Sequence, residues 1–338
     1  MIKVANSEEL EQLLNRLSQD YKIAAPVVKR KGRKERIEYE YIDSPGEITL
    51  ERQPDSSPKK FFLPQNERME VEVAGAPGTE DKQKTILFGV RSCDLEALKV
   101  LDDVFLDDNY IDAYYQQHRE NIIIIGLSCS EGKPSCFCGT LGIDPVKNDS
   151  APIFLYQRGD RYYFKVYDEE YAYLLEDLPE GDEGELAEIV EERAASFAEN
   201  NFTLDLPVPL PEETTFSAPF WGDLAEKCLG CGVCTYYCPT CYCFGFFWEQ
   251  GEKSRCWDSC MFASFTKHAS GHNPRRSQDQ RYRQRVMHKY SYHPENYGRL
   301  ACTGCGRCLD NCPVNLDIRS VLKTVESYLQ EKGGVKSG

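Results

Sequence analysis

Residues 228–239 read CLGCGVCTYYCP and residues 302–313 read CTGCGRCLDNCP. The same C-x2-C-x2-C-x3-C-P spacing is written twice, and it restricts this chain more than any other feature. Cysteines at every third position of a short loop wrap three thiolates around one cube of iron and sulfide. The fourth lies too far round to close that cube, and in two-cluster ferredoxins it ligates the other cluster. The spacing therefore predicts two [4Fe-4S] clusters with exchanged ligands. Cys228, Cys231 and Cys234 go with Cys312, and Cys302, Cys305 and Cys308 go with Cys238. Gly230, Gly232, Gly304 and Gly306 keep the loops free of Cβ groups, so that backbone amides approach the sulfurs. The competing reading is tetrahedral zinc, which normally uses paired C-x2-C elements.

The rest of the composition fits an intracellular metal protein. There are 16 cysteines in 338 residues. Exported chains use such numbers for disulfides, whereas intracellular chains more often use them for metal. The N-terminus, MIKVANSEELEQLLNRL, has no apolar signal core and leads into an amphipathic helix. The longest apolar run, IIIIGL at 122–127, is strand-sized, so no membrane span is expected. These features predict a cytoplasmic protein of a low-oxygen setting. The net charge of −15 is unevenly placed: residues 1–252 carry −23 and residues 253–299 carry +7. An acidic chain without RNA-binding signatures is a poor nucleic-acid binder.

The length suggests two domains. Residues 7–20 read as a helix with Ser7 as N-cap, and 37–42 as a strand. TILFGV (85–90) is a buried strand followed by an amphipathic helix over 91–105, with Leu95, Leu98, Leu101 and Phe105 on one face. NIIIIGLSC (121–129) is the next strand, which predicts a small, mostly parallel α/β sheet. Residues 152–167 read as a hairpin turning at Arg158-Gly159-Asp160, and 184–199 as an acidic helix. The proline-rich 204–220 reads as a linker, placing a boundary near 215. The expected organisation is an α/β domain over 1–215 and a loop-rich, two-cluster ferredoxin-like domain over 216–338. The latter carries a basic insertion at 244–300.

Two further cysteine groups remain. Cys93 stands where strand 85–90 meets its helix, Cys129 ends the next strand, and Cys136 and Cys138 follow in SCFC. Parallel strands end on one sheet edge, where α/β folds place their sites. The helix start favours the Cys93 thiolate. The four thiols are a candidate third cluster; the alternative is inert packing of a small apolar side chain. Cys241, Cys243, Cys256 and Cys260, in CPTCYCF and RCWDSC, are read as packed thiols rather than as a further centre. Four of the five histidines (His268, His272, His288, His293) fall in the basic segment. That segment is read as a connector whose arginines offset the anionic clusters, not as a metal site. No P-loop, no G-x-G-x-x-G after a strand and no Ser–His–Asp set is present, so no catalytic residue is assigned.

FGVRSCDLEALKVLD, GLSC…CFCGTLGIDP, CLGCGVCTYYCPTCYCF, WDSCMF and CTGCGRCLDNCP occur in that order, with KKFFLPQNE at 59–67. Together they resemble the beta subunits of soluble sulfhydrogenases and, equally, the iron–sulfur electron-transfer subunit of the anaerobic sulfite reductase. The resemblance runs from the first helix to residue 325; the CFC, CPTCYCF and WDSC blocks are its most specific parts. It implies an electron relay that links a flavin- and NAD(P)-binding subunit to a catalytic one. The latter would be a nickel–iron hydrogenase or a sirohaem reductase. It also implies cysteines at the positions of Cys93, Cys129, Cys136 and Cys138, while Cys256 departs from the family pattern. Two other readings are a stand-alone iron–sulfur enzyme with a small-molecule site at the Cys93 edge, and a binding module held together by its clusters.

Overall fold

The computed structural model describes residues 1–32, 34–69, 83–198, 202–249 and 251–333. Two apolar runs set its main sheet. TILFGVR is buried at every position and IIIIGL at all but the first, the pattern of strands covered on both faces. In chain order the strands are β1 (Ile2–Asn6), β2 (Lys22–Lys31), β3 (Lys34–Tyr41), β4 (Asn66–Met69), β5 (Thr85–Arg91), β6 (Ile122–Leu127), β7 (Ile153–Arg158), β8 (Arg161–Val166), β9 (Phe244–Glu249) and β10 (Glu252–Trp257). Seven of them form one mixed sheet in the order β1-β8-β7-β6-β5-β2-β3. Its centre, β2, β5, β6 and β7, is parallel; its flanks pair antiparallel. The layer is wider and more mixed than the small parallel sheet the sequence suggests.

Alternation along the central strands feeds two cores. Leu87, Ile124 and Phe154 face helix α2 (Ser92–Phe105), which buries the expected Leu95, Leu98, Leu101 and Phe105. Ile86, Phe88, Ile123 and Ile125 face helix α1 (Ser7–Asp20) through Leu10, Leu13, Leu14 and Leu17. The cap of α1 is Asn6, not Ser7. Its side chain accepts from the amides of Glu8 and Glu9, each at 2.9 Å, and the Asn6 amide in turn donates to the Glu9 carboxylate at 2.8 Å. A reciprocal capping box of this kind fixes the helix start one residue earlier. The acidic helix runs Glu183–Ala198, and residue 199 lies outside the described residues.

The chain crosses the expected boundary at 215. β4, from the first part, pairs with β10 in a second sheet ordered β4-β10-β9. The proline-rich stretch is fastened rather than free: the Leu210 amide donates to the Tyr290 carbonyl at 2.7 Å, and the Ser291 hydroxyl to the Leu210 carbonyl at 2.7 Å. A third core gathers Trp221 with Tyr282, Val286 and Met287 of helix Gln278–Met287 and with Val321, Leu322 and Val325 of helix Ile318–Glu331. The two cysteine loops are mounted on this core. Among the described residues no helix is long and apolar enough to cross a membrane.

Candidate metal centres

Each loop's first three cysteines stand beside the other loop's fourth. Cys228, Cys231, Cys234 and Cys312 line one small cavity, with Cys308, Tyr282 and Arg285 also in its wall. Hydrogen bonds already point at its sulfurs. The Gly230 amide and the Gln278 side-chain amide reach Cys228 Sγ at 3.5 and 3.3 Å, and the Leu316 amide reaches Cys312 Sγ at 3.2 Å. Such donors orient thiolates and tune the potential of what they bind.

Around the second loop, Cys305 senses Cys238 and Cys308, and Cys308 senses Cys302 and Cys238. Burial pushes the Cys308 thiol up to about 12, and the neighbouring Arg285 pulls against it. Burial raises Cys305 and Cys234 likewise. Coordination to a metal is what releases such a thiol's proton. Lys289 Nζ lies 3.3 Å from Cys238 Sγ, and the buried Tyr290 faces Cys302. Among the described residues no three His, Cys, Asp or Glu side chains converge as for a single ion. The ligands of a cube each meet a different iron and need no such convergence.

The N-terminal cysteines come together at the sheet edge. In the parallel pair β5–β6, Arg91 is in register with Leu127, so Cys93 and Cys129 emerge side by side. Cys93 senses Cys129, and Cys138 senses Cys129 and Cys136. Gln53 bridges two of them: its Nε2 is 3.4 Å from Cys93 Sγ, and Cys136 Sγ is 3.9 Å from its Oε1. The expectation that the helix start favours a Cys93 thiolate does not hold. Burial first, and the adjacent Asp94 second, drive that thiol well above its ordinary value.

This group is docked directly on the second ferredoxin loop. Phe137 donates its amide to the Gly304 carbonyl at 2.8 Å, and Cys136 Sγ lies 3.8 Å from the Cys305 carbonyl. The bidentate pair Arg307–Asp94, at 2.5 and 2.7 Å with both side chains fully buried, ties the loop to the residue after Cys93. Gly304 and Gly306 therefore serve docking as well as cluster access. A Cβ on Gly304 would lie 2.6 Å from the Cys138 backbone nitrogen, and one on Gly306 2.4 Å from the Ser135 hydroxyl. Gly304→Ala is expected to destabilise the fold. Its left-handed backbone alone costs about 1–3 kcal/mol with a side chain, and the collision with backbone adds to that. The anaerobic unfolding midpoint measures it; an unchanged midpoint would refute the close docking.

Of the remaining cysteines, Cys241 is a neighbour of Cys238, its amide donating to the Cys238 carbonyl at 3.4 Å, and Cys243 is a neighbour of Cys260. Cys256 stands apart beside Tyr236. The histidines stay out of the sulfur sites. His288 bonds the Tyr242 hydroxyl at 2.9 Å, burial holding its pKa down at about 4, and His293 faces Asp103. The basic segment does supply a buried cation between the loops: Arg285, whose Nε has no hydrogen-bond partner. Sequence reasoning missed Gln53, Lys59, Asp94 and Lys289. Only Asp94 carried a local signal, as the residue after Cys93.

Residues 227–316 match the family described as a 4Fe-4S dicluster domain. With the sulfur geometry, that match defines the class: an iron–sulfur protein whose clusters serve electron transfer. Over 338 aligned residues the chain is 32% identical to sulfhydrogenase 2 subunit beta of Pyrococcus furiosus, covering 96% of this chain and 98% of the relative. The chain belongs to the sulfhydrogenase beta-subunit family. The relative is by name the beta subunit of a sulfhydrogenase.

Proposed function

We propose that this protein is the electron-relay subunit of a cytoplasmic multisubunit oxidoreductase. Its partners would be a flavin- and NAD(P)-binding subunit on one side and a catalytic subunit on the other, of nickel–iron hydrogenase or sulfur/sulfite reductase type. In the dicluster part, Cys228, Cys231, Cys234 and Cys312 hold one [4Fe-4S] cluster, and Cys302, Cys305, Cys308 and Cys238 hold the second. Cys93, Cys129, Cys136 and Cys138 hold a third. Bound clusters supply one-electron carriers.

The observation that carries this reading is the continuity of the thiol sites. Cys136 touches the Cys305 carbonyl, and Cys308 of the second loop senses Cys234 of the first. Three sites in such contact are more than a fold needs for stapling, and they suit a path. The chain's own part is to hold and neutralise. Arg285 lies between Cys234 and Cys308, and Lys289 lies on Cys238; positive charge there offsets added electrons and raises the potential. Gln53 orients the Cys93 and Cys136 sulfurs.

The test is iron, acid-labile sulfide and zinc per chain, measured on anaerobically purified wild type and on Cys93→Ser/Cys129→Ser. The wild type is expected to be reducible by dithionite and to turn over nothing alone. The variant is expected to hold about four fewer iron and four fewer sulfide, one [4Fe-4S] cluster. Equal iron in both would make the N-terminal thiols packed and take that domain out of the path. Stoichiometric zinc with little iron would end the relay reading. Substrate turnover by the chain alone would favour a stand-alone enzyme.

A further inference from the structure

Eight cysteines belong to the ferredoxin loops and four to the sheet edge; Cys241, Cys243 and Cys260 belong to neither, yet they are gathered. Cys241 and Cys243 are two residues apart in the segment that joins the end of the first cysteine loop to β9. Cys260 follows β10, and the Asp258 amide donates to the Cys243 carbonyl at 2.8 Å, closing the base of the β9–β10 hairpin. That closure sets Cys260 against Cys243, and Cys241 within its electrostatic reach. Cys256, on the same hairpin, takes no part.

Lys59 is the observation that the other sites leave unexplained. It is 4% exposed, and its Nζ donates to the Cys241 carbonyl at 2.7 Å and lies 4.0 Å above the Trp257 ring. Among the described residues no carboxylate pairs with it. A buried ammonium without a counter-charge is costly, and such a group is normally paired. The Lys59 Nζ also reaches the Thr235 carbonyl at 3.4 Å. Burial lowers its pKa and the nearby Lys289 adds to that, while thiolates at Cys241, Cys238 and Cys243 would oppose it. Lys289 and Arg285, 3% and 4% exposed, already lie on Cys238 and between Cys234 and Cys308. Lys59 is thus a further buried cationic side chain, seated on the backbone of Cys241, one of the cysteines that the two loops do not use.

We infer that Cys241, Cys243 and Cys260 bind a further iron–sulfur cluster, beside Lys59 as its buried counter-charge. The inference rests on the iron–sulfur reading of the loops and adds a site to it. Three thiolates leave one position for a ligand other than a free cysteine of this group. Through the Cys238–Cys241 contact the site adjoins the second-loop cluster, on a different cysteine from the one that meets the N-terminal group. The second-loop cluster then has neighbours on two sides.

Iron, sulfide and zinc per chain of the full-length, anaerobically purified protein decide it. Cys243→Ser/Cys260→Ser is expected to hold about four fewer iron and sulfide than wild type. Wild-type iron in the variant, or a loss of zinc instead of iron, would overturn the inference. Should that variant not accumulate in soluble form, Cys93→Ser/Cys129→Ser decides it. With the sheet-edge site disabled, that chain is expected to retain about twelve iron, and about eight would leave the two loop clusters alone and overturn the inference. A wild type well below eight would instead sink the dicluster assignment itself, so the two failures are told apart.

Discussion

Replacing Cys238 by serine is expected to abolish the cluster held by Cys302, Cys305 and Cys308 and to spare the cluster of its own loop. Cys238 sits in the first motif by sequence, but in space it stands with the second. It is buried, it is felt by Cys305 and Cys308, and Lys289 lies 3.3 Å from its sulfur. Cys312, and not Cys238, joins Cys228, Cys231 and Cys234 around the first cavity, whose wall also takes in Cys308. Loss of one ligand from a buried cube exposes an iron to a site built to hold a thiolate, and Lys289 is left over it without its counter-charge. About four iron and four sulfide should be lost per chain. Which cube has gone is read from the low-temperature EPR of the reduced protein: Cys238→Ser should match Cys302→Ser and differ from Cys231→Ser. A match with Cys231→Ser would mean that each loop closes its own cube.

The dicluster part was legible because its signal is covalent and local. Eight cysteines at fixed offsets, with glycine between them, need no knowledge of the tertiary fold. The buried strands β5 and β6 and the apolar face of α2 were legible for a similar reason, since period and composition agree there. Strand β2 was not. Pro26 interrupts its apolar run and its last three residues are Lys29, Arg30 and Lys31, so no strand is read there from the sequence; pairing with β3 and β5 makes it one. The proline-rich 204–220 misleads in the opposite sense, because its fastening comes from Tyr290 and Ser291, some eighty residues on. The same holds at the sites. Lys59 and Lys289 look like ordinary surface lysines in sequence, and only the fold reveals that both are buried, Lys289 against the Cys238 sulfur and Lys59 against the Cys241 carbonyl.

Asp94→Ala is expected to cost about 3–5 kcal/mol, the usual penalty for leaving one partner of a buried ion pair alone. Arg307 lies inside the second motif, between Cys305 and Cys308, and its guanidinium has the Pro54 carbonyl, at 2.9 Å, as its other partner. Without Asp94 it keeps its charge in the interior with one hydrogen bond instead of three. The variant should unfold at lower denaturant than wild type under anaerobic conditions. It should also lose iron from the Cys93 group before the loop clusters, because Asp94 anchors the helix start that carries Cys93. The double substitution Asp94→Leu/Arg307→Met separates pairing from charge. A well-packed apolar replacement of a buried pair is often neutral, so it should recover much of the stability lost in the single variant. If it does, the pair is retained here for what it positions rather than for net stability: it locks the sheet-edge thiols to the Cys305 loop, and with them the spacing on which the proposed electron passage between the two sites would depend. A single variant as stable as wild type would mean that the interface is held by the Phe137–Gly304 contact and its neighbours, with the ion pair incidental to it.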